Sequence, residues 1–259
     1  MSAGARALSV AADSWLEGRV IENRHWTDTL FSLRIEAPAL RYEAGQFVKL
    51  ALDVEGERVA RPFSFVNPPG DPLLEFYGVI VPEGKLSPGL ARLAAGDALH
   101  LSANPSGFLV LSEVPDAETL WLLATGTGLA PFLSILASDA VWRRYAQVVL
   151  VHAVRYAGER TYRERIEATA RARSGRLRYL SFVSREPAAD ALAGRIPEAI
   201  RDGRLEAAAG RPLSAQTSQV LLCGNPEMVR DATEMLKRER GMRKHRRRAA
   251  GQITAENYW

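Results

Sequence analysis

The stretch Thr119–Phe132, TLWLLATGTGLAPF, decides the fold. Its first six residues, Thr119–Ala124, form a continuous apolar run of strand length. A strand apolar on both faces belongs in a parallel sheet. Gly126 and Gly128 then permit a tight bend with close backbone approach, and Pro131 suits the first turn of a helix. Strand, glycine turn and helix start, in that order, are where open α/β sheets hold a nucleotide phosphate. The spacing is not G-x-G-x-x-G, so the dinucleotide fingerprint proper is absent, and a purely structural turn is the competing reading.

Toward the C-terminus the same grammar repeats. Val148–Val154 and Leu177–Val183 read as further buried strands and Val220–Cys223 as a fourth, with helices at Tyr162–Arg173, from Arg195 and at Glu227–Arg240. Ala207–Ser218 has few apolar residues and reads as a loop. Strands alternating with helices predict a parallel sheet covered on both faces. Arg155 and Arg185 follow the second and third strands and Arg195 the next turn, on the side where such sheets bind ligands. A guanidinium fork suits phosphate, and no acidic residue ends the second strand to take a ribose diol. That favours a 2′-phosphorylated nucleotide, NADP over NAD; solvated surface arginines are the alternative. Cys223-Gly224-Asn225-Pro226 ends the fourth strand on the same sheet edge as the Gly-Thr-Gly turn. Cys223 there lines a small-molecule pocket or is simply a small buried hydrophobe.

Toward the N-terminus the pattern changes to short alternating strands: Arg19–Trp26, Thr29–Ile35, Gln46–Val54, Arg58–Val66, Leu73–Val81 and Asp97–Ser102. Proline, glycine and aspartate turns separate them, and Ser87–Ala94 reads as one short helix with Ser87 as its cap. The expectation is a two-domain chain: an antiparallel β-barrel over residues 15–115, then an α/β parallel-sheet domain over 116–259. Within the barrel, Arg61-Pro62-Phe63-Ser64 joins a cation, a ring and a hydroxyl, Phe76-Tyr77 repeats rings on the next strand, and Lys85-Leu86-Ser87 joins a cation to a helix start. These residues suit a second pyrophosphate beside a planar group. On the residues alone, strand side chains filling a barrel core explain them equally well.

Composition narrows the function. The chain has 259 residues and a formal net charge of +4. One cysteine, and histidines only at 25, 100, 152 and 245, argue against a disulfide or a protein-held metal. No run of 18 apolar residues and no signal-peptide pattern are present, so a cytoplasmic protein without a membrane span is expected. Lys237–Arg248 holds eight Lys/Arg against one Glu. Such a segment suits an acidic protein partner or is a solvated face; with no zinc-finger or RNA-binding motif beside it, nucleic acid is not expected.

The ordered set R-P-F-S (61–64), E-F-Y-x-V (75–79), G-K-L-S-P (84–88), A-T-G-T-G-L-A-P-F (124–132), H-A-V-R (152–155), S-R-E (184–186), C-G-N-P (223–226) and T-A-E-N-Y-W (254–259) resembles the bacterial ferredoxin–NADP reductase, or flavodoxin reductase, family. The resemblance runs from about Arg19 to Trp259. It implies an FAD-binding barrel and an NADP-binding α/β domain in a monomer that passes electrons between NADPH and an acidic ferredoxin or flavodoxin. A related NADPH-dependent flavin reductase, or the reductase component of an oxygenase, is the alternative. Under the resemblance, Arg61 with Pro62 meets the FAD pyrophosphate, and Phe63 packs on the flavin in place of the usual tyrosine, without its hydroxyl. Ser64 lies near flavin N5; Phe76, Tyr77 and Val79 line the FAD, Tyr77 nearest. Lys85, Leu86 and Ser87 form the phosphate-binding helix start. Thr127 flanks the nicotinamide, Cys223, Gly224 and Asn225 form its docking wall, and Arg155, Arg185 and Arg195 surround the 2′-phosphate. Tyr258 and Trp259 resemble the subgroup with a terminal tryptophan, in which that ring stacks on the adenine and the tyrosine lies nearer the flavin. Ser64, Cys223 and Tyr258 are thus the expected catalytic group, and Lys237–Arg248 is one candidate for the face that steers the acceptor.

Overall fold

A computed structural model describes residues 14–257 of the chain. Strands β1 (Trp15–His25), β2 (Leu30–Glu36), β3 (Phe47–Val54), β4 (Glu57–Ser64) and β5 (Leu74–Val79), helix α1 (Ser87–Arg92) and strand β6 (Ala98–Ser102) make the first domain. The six strands pair in the order β4-β3-β6-β1-β2-β5, every ladder antiparallel. Alternation along β2 and β6 turns Leu33, Ile35, Leu99 and Leu101 inward, where they pack with Val48, Leu50, Phe65 and Phe76. The barrel closes by one bridge, Phe65↔Phe76, between the ends of the order. Before that bridge, β4 and β5 part.

The expected cap at Ser87 is not made. Leu86 precedes the helix without a side-chain cap, and the Ser87 hydroxyl instead accepts the Val81 N–H at 2.9 Å, closing the loop between β5 and α1.

The second domain runs β7 (Thr119–Thr125), α2 (Ala130–Ala137), α3 (Asp139–Arg144), β8 (Gln147–Val154), α4 (Arg163–Ala172), β9 (Leu177–Val183), β10 (Leu192–Ala193), α5 (Ile196–Arg201), α6 (Arg204–Ala209), β11 (Ser218–Gly224), α7 (Pro226–Arg240) and β12 (Ile253–Asn257). Its order is β10-β9-β8-β7-β11-β12, all parallel. The central strands β7, β8 and β11 are buried on both faces, as their unbroken apolar runs require. Helix α7 has both end signals: the Asn225 side chain accepts the N–H groups of Glu227 and Met228, and Gly241 at φ 61° ends the helix behind Lys237, Arg238 and Arg240.

Two expectations change here. Helix α6, Arg204–Ala209, runs into the first three residues of the expected loop Ala207–Ser218; Gly203 and Gly210 bracket it in left-handed conformations, and it buries only Leu205 and Ala209. The sheet also gains two strands beyond the four expected, the two-residue β10 and, on the other edge, β12. Ile253-Thr254-Ala255-Glu256-Asn257 buries only its first two side chains, so its sequence lacks an apolar run.

The domains share a core. Leu30, Val66 and Tyr77 of the barrel pack with Leu129, Phe132, Leu133, Tyr162 and Ile166 of the parallel-sheet domain. Polar bonds fasten the same seam: Ser134 Oγ donates to the Asn67 carbonyl at 2.7 Å, Tyr162 Oη to Glu75 at 2.8 Å, and Arg165 pairs with Glu75 at 3.2 Å.

Candidate functional site

The parallel strands run outward from β7 to β8, β9 and β10, and the chain then returns to β11 on the other side of β7. The switch point therefore lies between the carboxyl ends of β7 and β11. The two turns there interlock. A Cβ on Gly128 would run into the Cys223 carbonyl, and one on Gly224, at φ 127°, would strike Thr125. Thr125 Oγ1 accepts the Asn225 N–H at 2.8 Å. His152, fully buried on β8, lies 3.1 Å from the Gly126 carbonyl through Nε2. A carbonyl only accepts, so Nε2 carries the hydrogen and donates. Burial pushes this imidazole down to about 4, which keeps it neutral. The Gly126 turn is thus held from beneath by a buried histidine.

A cleft of about 600 Å³ opens at this edge. Thr125, Gly126, Thr127 and Asn225 form its floor, and Thr29, Leu30, Val79 and Ile80 form a wall from the barrel. Arg155, Arg185 and Arg195 all line it, so the structure brings the three expected arginines together. All three are exposed, and none has an acidic partner among the described residues. Other arginines are engaged: Arg160 with Asp190 at 2.8 Å, Arg240 with Glu206 at 2.7 Å. The uncommitted guanidiniums line a space whose chemistry suits a phosphorylated ligand.

Sequence reasoning missed Thr125, whose hydroxyl joins the two turns, and Glu227, Met228 and Asp231, which line the far side of the cleft from α7. The signal for the α7 residues was available: the i, i+1 and i+4 positions behind an Asn-Pro helix start. Cys223, expected in the docking wall, is not among the described residues that line this cleft. It is 0% exposed, and its side chain packs with Leu221 in the core joining the domains, on the face opposite Leu222. Strand alternation presents the cleft with its neighbours' backbone rather than the thiol.

On the barrel side, the parting of β4 from β5 separates residues 61–64 from 77–80. Phe63 is half-buried, and its ring lies over Gly78; a Cβ there would meet Phe63 Cε1 at 3.0 Å and Phe31 more closely still. Gly78, not singled out from sequence, is what makes room for that ring. Ser64 is 2% exposed, and its hydroxyl has no hydrogen-bond partner. A buried hydroxyl left unpaired costs stability, so an absent polar partner is the natural reading. Arg61 is exposed and, among the described residues, bonds only the Ala60 carbonyl, at 2.7 Å; Pro62 and Lys85 are exposed as well. These residues fit a planar group with a phosphate tail.

Three barrel residues expected to line the FAD have buried side chains. Phe76 is 1% exposed and tilts against Phe65 at 5.2 Å inside the barrel. Leu86 is 3% exposed and fills the same core. Tyr77, expected nearest the flavin, points instead into the seam, where its hydroxyl accepts from Thr161 Oγ1 at 2.8 Å and its ring meets Tyr162 edge-on at 5.3 Å. Alternation along β5 sends residues 76 and 77 to opposite faces, one into the barrel core and one into the seam. Tyr258 and Trp259 lie outside the described residues.

Comparison with known proteins gives the same two halves. Residues 20–109 match the family model "Oxidoreductase FAD-binding domain", and residues 122–234 match "Oxidoreductase NAD-binding domain". The chain is 51% identical to the flavodoxin/ferredoxin–NADP reductase of Escherichia coli (strain K12) over 95% of its own length and 99% of the relative's. It is 36% identical to the ferredoxin–NADP reductase of Pseudomonas aeruginosa, covering 84% and 87% of the two chains. A crystal structure of a ferredoxin NADP+ reductase from Neisseria gonorrhoeae with bound FAD and NADP superposes with a TM-score of 0.90 at 32% identity, covering 95% and 99%. With both halves matched by family models, half of its residues identical to a relative's over nearly the full length, and the fold shared, this protein belongs to the flavodoxin/ferredoxin–NADP reductase family.

Proposed function

We propose that this protein is an FAD-dependent oxidoreductase of the ferredoxin–NADP(+) reductase type, moving electrons between NADPH and a ferredoxin or flavodoxin. The observation that carries the nucleotide half is the convergence of uncommitted Arg155, Arg185 and Arg195 on one cleft whose floor is the Thr125–Thr127 turn. FAD, when bound, supplies the conversion between a two-electron hydride and single electrons. The chain's own residues bind, orient and exclude water. Arg61 and Lys85 hold the FAD phosphates, Phe63 covers the ring system, and the Ser64 hydroxyl finds there the partner it otherwise lacks. The three arginines hold the 2′-phosphate, and the interlocked turns around Thr125, Thr127, Gly224 and Asn225 place the nicotinamide end. No acid–base pair is required.

The terminal-tryptophan subgroup is inferred from the ending T-A-E-N-Y-W, supported by β12, which sets Asn257 level with Gly224. Division near residue 115 follows the change from the antiparallel to the parallel sheet. We hold monomeric state and cytoplasmic location as part of the same proposal; no helix among the described residues is long and apolar enough to cross a membrane.

The test is direct. The purified protein should be yellow and take up FAD; a colourless protein that refuses FAD overturns the reading. In stopped-flow, NADPH should reduce it far faster than NADH, and the reduced protein should pass electrons to ferredoxin or flavodoxin.

A further inference from the structure

Arg155 and Arg185 ride on loops, and two carboxylates tie those loops down. Val154 and Val183 are the last paired residues of β8 and β9, yet the two chains stay joined beyond them. Ser184 donates to the Val154 carbonyl through its N–H at 3.1 Å and its hydroxyl at 3.2 Å, and the Arg185 N–H donates to the Arg155 carbonyl at 2.9 Å. The carbonyls after β8 are thus taken by the loop after β9. The N–H groups after β8 go to carboxylates. Glu159 Oε2 accepts those of Arg155 and Tyr156 at 2.9 and 3.3 Å, and Glu186 Oε1 accepts that of Ala157 at 2.5 Å. Successive N–H groups opening a turn attract an anion, and here the chain supplies the anions itself. A phosphate entering the cleft finds these donors occupied and is left to the guanidiniums.

The two carboxylates differ in reach. Glu159 acts within its own loop and lines the cleft. Glu186 follows Arg185 directly and crosses to the other loop, bonding the residue two places beyond Arg155. It does not line the cleft. Both guanidiniums are exposed, so backbone anchoring rather than side-chain packing sets where they can reach. Two arms grip one phosphate best from fixed points, because less freedom is lost on binding. We propose that Glu186 is a positioning residue for nucleotide selectivity: by tying Ala157 to the Arg185 loop, it presents Arg155 and Arg185 to the same 2′-phosphate. This rests on the reading of the cleft as an NADP(H) site and adds a residue that serves the site through its neighbours. A carboxylate near a phosphate also repels it. The tie and the charge act in opposite directions, which makes them separable.

The experiment uses the FAD-loaded protein with menadione, a small neutral quinone, as acceptor, and compares the parent with Glu186→Ala and Glu186→Gln. Glu186 is exposed, and flavin content checks that each variant is folded and loaded. Glu186→Ala should raise the KM for NADPH roughly fivefold and leave kcat within about twofold. The inhibition constant of adenosine 2′-monophosphate should rise in step, while that of adenosine 5′-monophosphate and the kcat/KM for NADH hold within about twofold. Glu186→Gln keeps an oxygen that can accept the Ala157 N–H, so it should recover most of the affinity for NADPH. An unchanged NADPH/NADH ratio in Glu186→Ala overturns the proposal. So does an equal loss with both nucleotides, the mark of general loosening, or a Gln variant as weak as the Ala variant. Tighter NADPH binding in both variants overturns it too, since charge repulsion would then outweigh the tie. A parent protein that does not prefer NADPH to NADH overturns the nucleotide reading itself, which is a different outcome.

Discussion

In the parallel sheet, the residues lining the cleft sit at the carboxyl ends of strands or in the turns and helices that follow them; in the barrel, residues of a single motif scatter to different faces. Arg155, Arg185 and Arg195 are far apart in sequence but share one edge, because parallel strands all end on the same side. Phe76 and Tyr77 are neighbours in sequence, yet one fills the barrel core and the other the domain seam. Topology places loop residues regardless of register, whereas register decides each strand residue separately. A motif read along a strand thus mixes ligand contacts with packing, and a motif read at a strand end does not.

The sharpest way to break this comparison is Phe76→Ala. If the residue is core, the change costs about 3–5 kcal/mol of stability through the cavity it leaves. FAD affinity of the folded fraction should be little altered. Urea unfolding and flavin titration read the two effects apart; a large loss of FAD affinity with unchanged stability would return Phe76 to the site.

The parallel-sheet side has its own buried support, His152, and pH exposes it. Its folded pKa of about 4 lies below the ordinary histidine value, so between the two the unfolded chain binds more protons. Its contribution is complete above pH ~6.5 and falls as pH drops, by about 3 kcal/mol on reaching pH ~4. In His152→Gln, the stability profile over that window should be flatter than in the parent. Parallel profiles would mean that the imidazole under the Gly126 turn is not held neutral.

Next in size is the strand-end prediction. Arg185→Ala removes a charge-assisted contact of about 1.5–3 kcal/mol. The NADPH/NADH ratio of kcat/KM should fall roughly 10- to 100-fold, mostly through NADPH. An unchanged ratio would remove Arg185 from the phosphate site and weaken the rule that strand-end residues are legible.

Much of the architecture was legible because its signals are local. The apolar runs of β7, β8 and β9, the turns after them and the Asn-Pro start of α7 each carry a pattern that water or backbone geometry enforces. Strand β12 and helix α6 were not legible, since both owe their place to neighbours: β12 to pairing with β11, α6 to glycine brackets and two buried side chains. Of the residues that line the cleft, the three arginines, Thr127 and Asn225 were singled out from sequence. Thr125 and His152 were not singled out, because their roles are hydrogen bonds across the sheet to Asn225 and Gly126. Gly78 was missed for a similar reason: the ring it admits belongs to another strand.

The smallest effect tests the comparison most finely. Tyr77→Phe deletes one hydroxyl and keeps the ring. In the structure that hydroxyl accepts from Thr161, in the seam, and burial raises its pKa well above the ordinary tyrosine value, so it stays a neutral phenol throughout the working range. Losing one buried hydrogen bond should cost about 1 kcal/mol, while Thr161 is left to find another acceptor. Because the bond joins the domains rather than the protein to its cofactor, FAD affinity and hydride transfer should hold within about twofold, near the limit set by such small energies. Had Tyr77 faced the flavin, as the motif suggested, the same deletion would alter the flavin absorption spectrum and the rate of reduction by NADPH while leaving domain stability almost unchanged. The two placements therefore predict opposite splits between stability and catalysis, and a single conservative substitution decides between a strand residue that serves the ligand and one that serves the seam.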